Sequence, residues 1–195
     1  MTAKVIYFIV WLFVLEVLHR AQLKFWRFLW GSVGLFISFM IWAEPIMTVH
    51  LSRFVSLVAG FLGELTRMYV PYFEYGVLFI ENKDSAISLY IDYECSGVIE
   101  IMVFLSMLWF FPVYEVLEKI IVSIIGVLWI FMANVLRIHA ICTLIYWAGS
   151  DSYYIAHTIL GRLIFYGFSI ALYYYVFTRA HIIRQRIGGL RYENP

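Results

Sequence analysis

The sequence predicts an all-α polytopic membrane protein, with five to six transmembrane helices, one amphipathic interfacial helix and a short extracytoplasmic β-hairpin. Three observations carry that expectation. Of 195 residues, 64% are apolar and 14% charged, with a mean hydropathy of +0.86, which is more hydrophobic sequence than a soluble core of that size can bury. The apolar residues gather into six runs, and the longest stretch without one, about Arg67 to Glu94, is too short for a large soluble domain. A net charge of +1, with the basic residues scattered through loops and tail, leaves no patch to track nucleic-acid phosphates.

The first run, Val5–Leu18, follows directly on Lys4 and has no small-x-small cleavage site after it, which predicts a retained anchor. Thr2 in place of glycine, and a C-terminus without a prenylation cysteine, predict no lipid modification. The second run is Phe28–Ala43; both are short, since crossing about 30 Å of hydrocarbon takes roughly 20 helical residues. The third, Ile46–Leu65, differs in kind. Arg53, Ser56, Gly60, Glu64 and Arg67 recur every three to four positions opposite Phe54, Leu57, Val58, Phe61 and Leu65, a pattern that favours the interface over a crossing.

After these N-terminal helices (1–66), an outer hairpin is expected over 67–94. Ile87, Leu89, Ile91 and Tyr93 alternate with Ser88, Tyr90 and Asp92, and Glu81-Asn82-Lys83-Asp84-Ser85 supplies a turn before them. The core helices (95–178) hold the runs Ser96–Pro112, Ile120–Trp147 and Thr158–Phe177, and a basic tail (179–195) follows. Arg179, Arg184, Arg186 and Arg191 precede any acid in that tail, which assigns it to the cytoplasm. Counting back, Cys95 and the loop Gly149–Ala156 lie outside. The loop His19–Arg27, with Arg20, Lys24 and Arg27, is cytoplasmic by the same rule, so the N-terminus is outside if Ile46–Leu65 stays interfacial and inside if it crosses.

This topology brings three polar groups to one membrane face. Cys95 sits where the strand ends and a helix begins. Arg137 comes about seventeen residues into its helix, roughly 25 Å from the cytoplasmic side, and His157 opens the outer end of the last span. A thiol at a helix N-terminus beside a cation has its thiolate favoured, an imidazole can move a proton to a leaving amine, and a guanidinium can stabilise an oxyanion. Each residue also has a plainer reading: Cys95 as a small buried hydrophobe, His157 as a helix cap, Arg137 as half of a structural ion pair. Two cysteines, Cys95 and Cys142, are too few for a disulfide scaffold or structural zinc, and no His-Glu-x-x-His spacing occurs, so neither metal nor cofactor is expected.

The strings Glu94-Cys95-Ser96-Gly97-Val98-Ile99, Ala133-Asn134-Val135-Leu136-Arg137 and His157-Thr158-Ile159-Leu160-Gly161, in that order, resemble the Cys-Ser-Gly, Ala-Asn-x-x-Arg and His motifs of the exosortase/archaeosortase family. The resemblance covers about Tyr75 to Phe177, and the compact chain is most similar to the type G branch found in Gram-positive bacteria. It implies a cell-membrane, multi-pass cysteine transpeptidase with its active site on the extracytoplasmic face. Such an enzyme cleaves surface proteins near a C-terminal sorting signal and passes them to an acceptor, whose identity the motifs leave open. By position Cys95 would be the nucleophile, Arg137 the transition-state stabiliser and His157 the acid/base.

Neighbouring residues take supporting roles in this reading. Ser96 and Gly97 permit a tight turn into the helix, with backbone amides available to an oxyanion. Asn134, one turn before Arg137, either donates to the substrate carbonyl or satisfies a neighbouring helix. Glu100 and Arg162, each five residues inward from a motif, are expected to form a structural ion pair. His139 points away from Arg137 and is the fallback base, and Cys142 faces lipid or packing. The competing reading is a non-enzymatic membrane subunit or scaffold of a surface-polysaccharide or transport system; a purely hydrolytic cysteine protease would share the same thioester.

Overall fold

A computed structural model describes residues 2–82, 85–91 and 95–183. The chain forms α1 (Thr2–Arg20), α2 (Lys24–Trp42) and α3 (Glu44–Thr66), then a three-stranded antiparallel sheet of β1 (Tyr69–Tyr72), β2 (Val77–Asn82) and β3 (Ser85–Tyr90) in the order β1-β2-β3. Next come α4 (Val98–Phe110), α5 (Val116–Ala148) and a helical rod over Ser150–Ile183 that contains α6 (Gly161–Tyr173). Among the described residues four helices are long and apolar enough to cross a membrane: α2, α3, α5 and the final rod. Their exteriors carry Phe54, Phe61, Ile124, Ile125, Leu128, Leu163 and Ile170, all well exposed, as a hydrocarbon solvent requires. The tail arginines 184, 186 and 191, the turn residues Lys83 and Asp84, and Asp92–Glu94 lie outside the described residues.

The described residues divide into two compact units, one drawn from 1–43, 100–126 and 172–195, the other from 44–99 and 127–171. In the first, α1 and α2 are joined where Tyr7 donates to the Gly34 carbonyl at 2.7 Å and Trp11 to the Trp30 carbonyl at 3.0 Å. Phe104 of α4 sits fully buried, its ring edge-on to Tyr173 and Phe177. Helix α4 has 13 residues, about 20 Å, shorter than the span expected over Ser96–Pro112. Its helix begins only at Val98, because Gly97 takes a positive φ of 82°.

The second unit is built on α3, whose small residues Ser52, Val55, Ser56, Ala59, Gly60 and Gly63 are buried while Phe54, Leu57, Phe61 and Leu65 point outward. The amphipathic pattern is therefore inside-out. Its small face lies against the sheet, where a Cβ at Gly60 or Gly63 would collide with Pro71 or Tyr69, and its apolar face points away. By length and composition α3 is long and apolar enough to cross a bilayer, and the small-residue face of its amphipathic pattern is the one that the sheet covers.

The hairpin of β2 and β3 pairs Leu78 with Leu89 and Ile80 with Ile87, and β1 extends it with Tyr69 opposite Ile80. The alternation expected for Ile87, Leu89 and Ile91 holds: Leu89 and Ile91 are buried and Ser88 and Tyr90 exposed. Beneath this sheet Val55, Ala59, Leu78, Ile80, Leu89 and Ile91 form one core with Val135, Ile138, Ile141, Cys142 and Ile145 of α5. That core fixes α5 relative to the strand that delivers Cys95.

Candidate active site

Chain order brings Cys95 to the site from β3, three residues before α4 begins. Ser96 is buried and its hydroxyl accepts from the Val98 N–H at 3.4 Å, capping the first turn of α4. Gly97 supplies the left-handed residue that turns extended chain into helix, and a Cβ there would stand 3.5 Å from Asn134, so backbone conformation rather than space demands glycine. Across from this turn Asn134 of α5, fully buried, donates from Nδ2 to the Cys95 carbonyl at 2.6 Å. Its amide thus holds the cysteine's own backbone.

His157 and Arg137 approach the thiol from two helices. Cys95 Sγ and His157 Nε2 are 3.0 Å apart, and Arg137 Nη2 donates toward the same sulfur at 3.9 Å. Arg137 is only 6% exposed, and its Nε, like Asn134 Oδ1, has no hydrogen-bond partner among the described residues. A buried guanidinium with a spare N–H beside a thiol is poised to receive an anion. Of the eight site residues expected from sequence, the structure brings Cys95, Ser96, Gly97, Asn134, Arg137 and His157 together. Glu100, half-buried, falls in the first unit and Arg162, exposed, in the second.

Two aromatic residues that pattern reading missed support the polar groups. Tyr153 stacks on the His157 imidazole with centroids 5.7 Å apart and planes 10° from parallel. Buried Phe165 lies under Arg137, with the guanidinium carbon 5.7 Å from the ring centroid. Both belong to the last helical rod, where the turn Ile155–Leu160 is π-helical and so winds more loosely than the flanking α-turns. Gly161, just beyond it, lets the rod approach α5, since a Cβ there would come within 2.7 Å of Ile141. The only sequence signal for Tyr153 is its four-residue spacing from His157, which places the two on one helical face.

His139 is occupied elsewhere. Its Nδ1 lies 2.8 Å from the Tyr69 hydroxyl, which is also 2.8 Å from the Ala59 carbonyl. The carbonyl can only accept, so the single phenolic proton goes to it and His139 donates from Nδ1. This places the fallback base in the link between α5, β1 and α3. Burial pushes the Tyr69 hydroxyl above its ordinary value. Cys142 is fully buried in the core beneath the sheet. Among the described residues no group of three His, Cys, Asp or Glu side chains is arranged to hold a metal ion.

Neither a curated protein nor a solved structure matches the chain. The transmembrane exosortase family (Exosortase_EpsH) does, over residues 1–175, a match that takes in all three motifs together with the helices before them. With most of its length accounted for in this way, the chain belongs to the transmembrane exosortases, multi-pass membrane sorting enzymes of transpeptidase type whose substrates are surface proteins bearing a sorting signal.

Proposed function

We propose that the protein is a cysteine transpeptidase that cleaves membrane-anchored surface proteins on the extracytoplasmic side of the anchor, with Cys95 as nucleophile, His157 as acid and base, and Arg137 as oxyanion stabiliser. The observation that carries this reading is the convergence of one imidazole nitrogen and one buried guanidinium on a single thiol, at 3.0 and 3.9 Å. Cys95 transfers its proton to His157, and the thiolate gains from the positive end of α4 and from Arg137. Sγ attacks the scissile carbonyl carbon, forming a C–S bond and an oxyanion that Arg137 receives. The intermediate collapses with cleavage of the C–N bond, and His157 delivers its proton to the departing amine of the anchor fragment. An acceptor nucleophile then attacks the thioester, giving its proton back through His157 and freeing the thiol; with water as acceptor the same steps are hydrolysis.

Asn134 acts through the Cys95 backbone, holding the thiol in line with both partners. Co-expression with a secreted protein that ends in an apolar run and a basic cluster tests the reading. A hydroxylamine-sensitive adduct on Cys95, absent in Cys95→Ala and formed far more slowly in His157→Ala, is expected; processing without any thioester would refute it.

A further inference from the structure

The second unit contains a cleft of about 950 Å³ away from the thiol, between the C-terminal ends of α3 and α5 and the β1–β2 side of the sheet. Glu64, Arg67, Tyr69, Phe79, Glu81 and Trp147 line it. Glu64, Arg67 and Glu81 are all exposed, and among the described residues none of the three forms an ion pair with another, although they share one cavity. Two carboxylates against one guanidinium leave the cleft anionic, and Phe79 and the 72%-exposed Trp147 add aromatic faces. Carboxylate and aromatic surface together recognise an organic cation. The guanidinium of Arg67 is left to meet carbonyl oxygens.

We infer that this cleft is a substrate subsite for a basic side chain, lysine or arginine, in the extended segment preceding the scissile bond. The inference rests on the transpeptidase reading above and on its extracytoplasmic orientation. Trp147 lies ten residues beyond Arg137 on the same helix, which puts the cleft about 15 Å along α5 from the thiol. That direction leads out of the membrane. The anchor lies C-terminal to the scissile bond and stays in the bilayer, so chain reaching outward from the thiol belongs to the acyl side. An extended chain covers about 3.3 Å per residue, so the cleft meets the side chain about four to five residues before the bond that is cut.

Peptidyl chloromethyl ketones, which alkylate an active-site thiol, give a direct test on the full-length protein in nanodiscs. Alanine peptides carrying lysine, norleucine or glutamate at the fourth or fifth residue from the warhead are compared by their rate of Cys95 modification, with iodoacetamide as a control for thiol reactivity. Lysine should react about five- to tenfold faster than norleucine, the scale of one exposed ion pair with a cation–π contact, and glutamate more slowly. Glu64→Gln with Glu81→Gln should abolish the lysine preference while the norleucine peptide and iodoacetamide react as in wild type. Equal rates for lysine and norleucine, or a lysine preference equally strong at the second residue, would overturn the subsite while leaving the catalytic reading intact. Iodoacetamide labelling of Cys95 without labelling by any peptide would overturn both.

Discussion

Replacing Asn134 by leucine isolates the contact that positions the nucleophile. Leucine keeps the volume of the side chain but removes the Nδ2 donor, leaving the Cys95 carbonyl without its 2.6 Å partner in a place where Asn134 is fully buried and Cys95 4% exposed. A buried acceptor deprived of its donor costs about 1–3 kcal/mol. The turn can avoid that cost only by moving the carbonyl toward water, which carries the thiol away from His157 and Arg137. At about 2 kcal/mol the aligned arrangement loses about thirtyfold in population. The assay is the iodoacetamide rate constant of Cys95, read by intact mass in a Cys142→Ala background, beside the midpoint of thermal unfolding in detergent. The variant should show a lower midpoint and alkylation slowed by an order of magnitude or more. Wild-type values for both would refute the view that Asn134 holds the Cys95 backbone.

Three further expectations follow from the site and its surroundings. Tyr153→Leu and Phe165→Leu should each lower processing about fivefold at matched protein levels, because each removes one aromatic support worth roughly 1 kcal/mol, whereas Tyr153→Phe keeps the stack and should retain near-normal processing. Tyr69, whose hydroxyl is pushed above its ordinary value of 10.0, makes stability fall as pH rises past about 10: the unfolded chain then loses a proton that the folded chain keeps. Thermal unfolding of Tyr69→Phe should be less stable at neutral pH, with a shallower alkaline decline; an identical alkaline slope would remove Tyr69 from the account. For topology, single cysteines introduced at Ser152 and Glu115 in a cysteine-free background should be labelled and protected, respectively, by an impermeant maleimide on intact cells, and the reverse would place the thiol on the wrong face.

Much of this architecture was legible because membrane helices and strands leave strong periodic signals. The alternation Ile87-Leu89-Ile91 revealed β3, and the three motif strings located residues that the fold brings within bonding distance. Strand β1 went unread because it is four residues long and contains Pro71, and a proline confined to an edge strand looks like a strand breaker. For α3 the periodicity was legible but the covered face was not: the small residues turn toward the sheet and the large apolar ones away from it, a contact that helical period alone does not specify. Tyr153 and Phe165 carry no chemistry of their own, so only the geometry of the imidazole and guanidinium they touch singles them out among 39 Phe, Tyr and Trp residues. His139 drew attention as a spare base, but depth and helical phase say nothing of a hydroxyl arriving from β1.

The central claim is that Cys95 does covalent chemistry, and cleavage of a co-expressed anchored substrate by Cys95→Ala, at matched protein levels, tests it most directly. Removing one sulfur beside a helix start should leave the protein inserted and abundant. The account predicts full-length, unprocessed substrate in Cys95→Ala beside normal processing in Cys142→Ala. Processing by Cys95→Ala at the wild-type rate would contradict it and favour a scaffold whose thiol is only packing.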